Sequence, residues 1–283
     1  MVRIKSSPKA VGRTLHCATG AVACWIFTFL FPVFVFGVQL STQQLMNLSI
    51  ASTETDWKAT PQFSFVERDE DIKGAAKTSK TYRVWMLDGS PYSCLTDLND
   101  EPLSPAQRDR EREELREETA RRANESPKER ARRLAQYQKD RGRMFALLHE
   151  MGEAFDFRLV GEQRLDNHDV YVLQAFPRPG YQPRSRETKI LTGMKGTLWI
   201  EKSTYQWVRV EAVAIKPVWL GWFIAKVLPG TRFLLEQTPV TKRLWLPEYF
   251  SFEARARILW WQKEYVHSER YQDYRQFSGL VPP

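Results

Sequence analysis

The run Gly196-Thr-Leu-Trp-Ile-Glu-Lys-Ser-Thr-Tyr-Gln-Trp-Val-Arg-Val-Glu-Ala constrains the fold of this chain more than any other feature. Apolar and polar residues alternate on both sides of a short polar stretch. A period of two places alternate side chains on opposite faces of a strand, and two such runs across a tight polar turn make a β-hairpin. The same signature recurs along the chain. Phe63 to Asp69 alternates, as do Thr81 to Asp88 and Tyr92 to Leu98, the last two joined by the turn residues Asp88-Gly89-Ser90-Pro91. Phe155 to Leu165 meets Val170 to Phe176 across Asp166-Asn167-His168, and further strands follow at Thr231 to Val240, Leu244 to Ile258 and Lys263 to Tyr274. Eight to eleven strands with short polar turns predict a mainly β chain. Its sheet is expected to be antiparallel, up-and-down and curled around a helix or a cavity, interrupted by one helical insertion.

That insertion announces itself by composition. Residues 104–143 are dominated by Arg, Glu, Lys, Gln and Ala, with 13 Lys and Arg against 9 Asp and Glu. Ser104-Pro105-Ala106-Gln107 and Ser126-Pro127-Lys128-Glu129 each supply a capping serine, a proline at the first helical position and a Gln or Glu three residues after the serine. Two helices are expected, broken at Ala123-Asn124-Glu125. The first is solvated and laced with Glu/Arg pairs. The second gains an apolar face from Met144 to Met151 and docks there on the sheet. The charged surface of this insertion, 104–152 in all, is a solvated face or an arm for a protein partner.

Ahead of the sheet stand two other segments. Arg3, Lys5, Lys9 and Arg13 precede an apolar run from Ala18 to Val38, the pattern of an export signal over residues 1–40. The run fits cleavage near Val35-Phe36-Gly37 and also fits retention as a signal anchor. Cleavage predicts an exported chain, and retention anchors it in the inner membrane with its basic end in the cytoplasm. Residues 41–60 read as a polar linker, leaving one β domain over 61–278. Cys17 and Cys24 lie in the leader, so Cys94 is alone and no disulfide staples the domain. The formal charge of +8 divides into four charges in the leader and four in the insertion, leaving the sheet near neutrality. No basic stripe is interleaved with stacking aromatics, so a nucleic acid is not an expected partner.

Chemistry-bearing motifs are scarce. His16, His149, His168 and His267 have no second His or Cys at metal-ligand spacing. There is no nucleophile elbow, phosphate loop or dinucleotide fingerprint. No catalytic residue, metal or cofactor is expected. The surplus instead is apolar: Leu198 and Ile200, Val208 and Val210, Phe233 and Leu235, and Phe250 and Phe252 recur on alternate positions and are expected to share one side of the sheet. Trp199, Trp207, Leu234, Trp245 and Tyr249 load the other. Singly these residues read as an ordinary core against the helix, and together as an enclosed apolar pocket. The connection Val218 to Gly230 is almost wholly apolar although connections normally face water. Trp219, Leu220, Trp222 and Phe223 either fold back as a lid or touch a membrane surface.

The order of these segments resembles a known family. A signal segment, antiparallel strands, a helical excursion, the Gly196 to Lys202 strand, the Val208 to Glu211 strand, Pro229-Gly230-Thr231 and Leu244-Trp-Leu-Pro247 are together similar to the LolA/LolB-like periplasmic lipoprotein-sorting carriers, over roughly Phe63 to Phe277. The resemblance implies an incomplete β-barrel around a helical lid, with lipid or lipoprotein acyl chains held in an apolar cavity and no enzymatic activity. Relatives of that fold sense mislocalised lipoproteins for a stress response, and the alternative reading is a structural or regulatory module of the cell envelope with the same fold, its interior filled by side chains, no bound lipid and the helical arm as its contact surface. The insertion is longer and more charged than the family's lid helices.

Overall fold

The computed structural model describes residues 40–219, 226–258 and 261–276. The first element is a helix. Residues 41–60, expected as a linker, form α1 (Thr42–Ala59), begun by a complete capping box in which Ser41 Oγ accepts from the Gln44 N–H at 3.2 Å and Gln44 Oε1 accepts from the Ser41 N–H at 2.9 Å. The box has the same Ser-x-x-Gln form as the one at Ser104. Behind it the helix is rich in Ser, Thr, Asn and Gln, the composition that makes the segment look like a linker.

The chain then runs through β1 (Phe63–Lys73), β2 (Ala76–Leu87), β3 (Ser90–Leu98) and the short β4 (Glu101–Pro102). The charged excursion follows as α2 (Pro105–Ala123) and α3 (Pro127–Ala154), each opened by its Ser-Pro capping box. The remaining strands are β5 (Phe155–Leu165), β6 (His168–Pro177), β7 (Met194–Glu201), β8 (Trp207–Ala214), β9 (Val218–Trp219), β10 (Lys226–Val227), β11 (Arg232–Pro239), β12 (Trp245–Ile258) and β13 (Trp261–Gln276). Two 3₁₀ turns, Thr60–Gln62 and Thr188–Gly193, complete the set. Asp88 and Gly89, with φ of 48° and 87°, supply the left-handed pair that a tight β2–β3 hairpin turn demands.

The strands make one antiparallel sheet in the order β4-β3-β2-β1-β13-β12-β11-β8-β7-β6-β5, with β9 and β10 attached beside β12. Its end strands β4 and β5 do not pair with each other, so the sheet stays open. The first and last long strands are neighbours, Phe63 lying opposite Gln276 and Lys73 opposite Tyr265.

Helices α1 and α3 lie on one face, called here the inner face. Leu45 and Met46 of α1 and Leu148 of α3 are buried with Leu173, Leu198, Ile200 and Trp207 of the sheet. Phe145, Leu147 and Met151 of α3 pack against that cluster, as the apolar end of the second helix predicted. The α2–α3 pair is pinned to the β2–β3 turn by two arginines. Arg122, 7% exposed, donates to the carbonyls of Leu87 (2.6 Å) and Ser90 (3.0 Å), and Arg133 donates to Ser90 Oγ (2.7 Å) while paired with Glu125.

Candidate functional site

Cross-strand register aligns the inner-face residues into rows. One row runs Leu159, Leu173, Leu198, Val210, Leu235, Phe250 from β5 to β12, each residue directly opposite the next. A parallel row runs Phe157, Ala175, Gly196, Ala212, Phe233, Phe252. The two rows span six strands, about 24 Å at the usual strand spacing. Seven of the eight expected apolar residues lie on them or beside them: Leu198 and Ile200 are 1% and 0% exposed, Val210, Phe233 and Leu235 pack against the same cluster, and the Phe233 and Phe252 rings sit 4.7 Å apart.

Val208 is the exception. The register slips between Trp199 and Ile200, which pair with Arg209 and Trp207, so Val208 is an extra residue in a β-bulge. A one-residue insertion inverts which face the following side chains take. Val208 therefore packs on the outer face with Val170 and Trp245, and Trp207, expected there, turns inward. Sequence alternation could not have shown this, because the bulge is a property of the pair of strands.

The hairpin turn between β7 and β8 is held by Glu201, whose carboxylate accepts from the backbone N–H of Ser203 (3.0 Å) and Thr204 (2.6 Å). Tyr205 takes a positive φ of 60° in the same turn. Gly196 is required by close approach. A Cβ there would sit 2.6 Å from the Glu211 carbonyl oxygen on β8. The glycine of the signature strand thus lets two backbones meet at the centre of the inner face.

Beyond β12 the same rows change character. Phe252 lies opposite His267 and Phe250 opposite Glu269 on β13, and these in turn face Asp71 and Asp69 on β1, with Glu67 opposite Tyr271. His267 sits between two carboxylates, Nδ1 3.0 Å from Asp71 Oδ1 and Nε2 2.9 Å from Glu269 Oε1. Tyr265 donates to Asp71, and Tyr271 to Glu269. Burial, then the neighbouring Asp69 and Glu269, pushes the Glu67 carboxyl up to about 8, and burial raises Asp69 as well. Burial pulls His267 down, but its hydrogen bonds to Glu269 and Asp71 outweigh that and hold it above its ordinary value. Glu67 therefore keeps its proton at neutral pH, while Tyr265 and His267 hold the Asp71 carboxyl below its ordinary value, and the row is a polar border to the apolar rows. Nothing in the local sequence announces it, because its members come from strands at opposite ends of the chain.

The remaining expected site residues lie apart. Trp219 is 49% exposed on β9, while Leu220, Trp222 and Phe223 fall outside the described residues. His149 lies 3.6 Å from Glu54, and His168 packs edge-on to Trp245 at 4.7 Å. Burial pushes the Cys94 thiol up, away from nucleophilic use. A groove of about 680 Å3 crosses the outer face of β6, β7, β8, β11 and β12, but Lys195, Arg232, Glu211 and Glu253 give its walls charges of both signs. No helix among the described residues is long and apolar enough to cross a membrane.

No family model matches the chain, and no curated protein matches it. Solved structures similar to it include an outer membrane lipoprotein-sorting protein domain from Vibrio parahaemolyticus, at 12% identity over 83% of this chain and 93% of that one with a TM-score of 0.36. A LolA superfamily protein from Nitrosomonas europaea is similar at 11% identity over 86% and 96%, with a TM-score of 0.34. A complex of MucA and MucB from Pseudomonas aeruginosa is similar at 10% identity over 82% and 99%, with a TM-score of 0.26.

Proposed function

We propose that this protein is a non-enzymatic carrier of the bacterial periplasm that holds an acyl chain, of a lipid or a lipoprotein, against the inner face of its sheet for trafficking toward the outer membrane. The observation that carries this reading is the pair of uninterrupted apolar rows across six strands, ended on one side by an acidic border. A flexible acyl chain laid along those rows is stabilised by burial alone, at about 0.8 kcal/mol per methylene removed from water. The border at His267 and Glu269 marks where an apolar guest must end and a polar headgroup can begin. Leu173, Leu198 and Ile200 are buried in one cluster with side chains of α1 and α3, so the guest takes a place that helix side chains occupy.

The test is lipid extraction and native mass spectrometry of protein purified from a bacterial periplasm. Co-purifying acyl lipid is expected. Leu235→Ser, on the inner row, should reduce the retained lipid by roughly ten- to a hundredfold, the equivalent of about 1.5–3 kcal/mol of lost burial. Leu234→Ser, one residue away and facing outward between Glu211 and Ser251, should leave it unchanged. Absence of lipid from the wild-type protein, or equal loss in both variants, refutes the assignment.

A further inference from the structure

The helix that covers the rows is badly fitted to stay there. The buried stripe of α1 consists of Leu45, Met46, Ser49, Thr53 and Asp56, and only the first two are apolar. Leu45 and Met46 enter the main cluster and anchor the N-terminal half. The C-terminal half places Asp56, 2% exposed, against the sheet with neither carboxylate oxygen hydrogen-bonded. Ser49 Oγ and Gln206 Oε1 are buried without partners in the same region, whereas Thr53 is satisfied by its own helix at the Ser49 carbonyl, 3.0 Å away. A buried carboxylate without a counterion or donors is among the costliest groups a protein can hold, whereas the neutral acid is far cheaper.

We propose that α1 is a displaceable plug over the acyl-binding rows, and that the Asp56 carboxyl is its latch, closed when it carries a proton and released when it does not. The inference rests on the carrier reading for what the opened face receives, but not for the latch itself.

The surroundings of Asp56 offer the anion no cationic partner among the described residues. On α1 itself, Glu54 is paired with Lys58 at 2.6 Å. On α3, Arg141 is committed to the Trp57 carbonyl and lies 3.8 Å over the Trp57 ring, and His149 faces Glu54. In the β7–β8 turn, Glu201 is occupied by Ser203 and Thr204. Ahead of β12, Arg243 meets this region through its carbonyl, which accepts from Gln206 Nε2 at 3.3 Å. None of these groups forms an ion pair with Asp56. Burial accordingly pushes its carboxyl up to about 7, with the Trp245 backbone and the Gln206 side chain moderating the shift without reaching hydrogen-bond geometry.

The sign follows from linkage. The docked form binds the proton more tightly than the undocked form, whose carboxyl titrates at about 3.8. Support for docking is therefore complete below about pH 4 and is lost as pH rises to about 7, where it levels off. The proton leaves to solvent, and the charged side chain follows water. Beyond Leu45 and Met46, α1 is fastened by Ile50 against the main cluster, Ser52 Oγ donating to the Thr204 carbonyl at 3.0 Å, His149 3.6 Å from Glu54, the Arg141 contact, and Trp57 stacked on Phe145 at 4.6 Å.

Segment-resolved hydrogen exchange on the full chain, corrected for intrinsic pH dependence, tests this. Opening of residues 42–59 should rise up to tenfold per pH unit between pH 5 and 7 in the wild-type protein. Asp56→Asn and Asp56→Leu should make it flat, and the amides of β6 and β7 should not respond in any form. A flat wild-type profile, or the same pH response in the Asn and Leu variants, overturns the latch. Titration with a fluorescent hexadecanoic acid separates the two readings. Exchange that responds without fatty-acid binding sinks the carrier alone, and pH-independent binding with flat exchange sinks the latch alone.

Discussion

Replacing Gly196 by Ala tests the register at the centre of the site. The added Cβ would meet the Glu211 carbonyl oxygen at 2.6 Å and the Ala212 Cβ at 3.5 Å. The first contact is nearly an ångström inside ordinary van der Waals range and involves backbone, so β7 and β8 must separate locally. Overpacking of this kind costs typically 1–3 kcal/mol. Against it stands the usual gain of about 0.4–1 kcal/mol from restricting the unfolded chain. The net expectation is a loss of about 0–2.6 kcal/mol, or a fall in Tm of up to roughly 10 °C at about 2–4 °C per kcal/mol for a domain of this size. Gly161 supplies the internal control, because a Cβ there meets nothing within 4 Å and its φ is not positive. Gly161→Ala should gain about 0.4–1 kcal/mol. Urea denaturation followed by tryptophan fluorescence reads both variants on one scale. A Gly196→Ala protein as stable as Gly161→Ala would refute the close approach of β7 and β8.

Arg122→Met should destabilise the protein by about 2–4 kcal/mol by orphaning the Leu87 and Ser90 carbonyls and Glu118, and Arg122→Lys should recover little of it, since one ammonium cannot span those acceptors. Thermal melts of the two variants check this, and full rescue by Lys would contradict the clamp. Glu67, raised to about 8, contributes stability that is complete below about pH 4.5 and is lost as pH rises through 8. Melting temperature should therefore decline from pH 5 to 9 in the wild-type protein and decline less in Glu67→Gln, with parallel curves counting against a Glu67 that is protonated in the folded protein. Leu235→Ser and Leu234→Ser should differ in retained lipid while keeping similar far-UV circular dichroism.

Much of this architecture could be read from residue order, and the parts that could not share a cause. The helix starts at Ser104 and Ser126, the turn at Asp88-Gly89 and the row containing Leu198 and Val210 are set by neighbours within a few positions, where capping, left-handed turns and period-two alternation act. The face taken by Val208 depends on which residue of β7 it opposes, and the acidic row depends on β1 finding β13. Those are pairings across the fold, and no local pattern encodes them. Helix α1 lies between the two cases. Its capping box is local and legible, but its buried stripe of Ser49, Thr53 and Asp56 looks solvated until the sheet beneath it is known.

The seam between β1 and β13 also governs how the chain can fold. Ser64 donates to the carbonyl of Arg275, 211 residues away, and that seam lies in the middle of the sheet rather than at its edge. A chain made or exported from its N-terminus must therefore hold β1 with one side unpaired until the last strand emerges. The β1–β3 block and the β5–β12 block can each assemble from local hairpins, but joining them waits for the C-terminus and closes a very long loop. Folding should be slow and limited by that final docking, and a chain truncated before β13 should leave two bare strand edges prone to self-association.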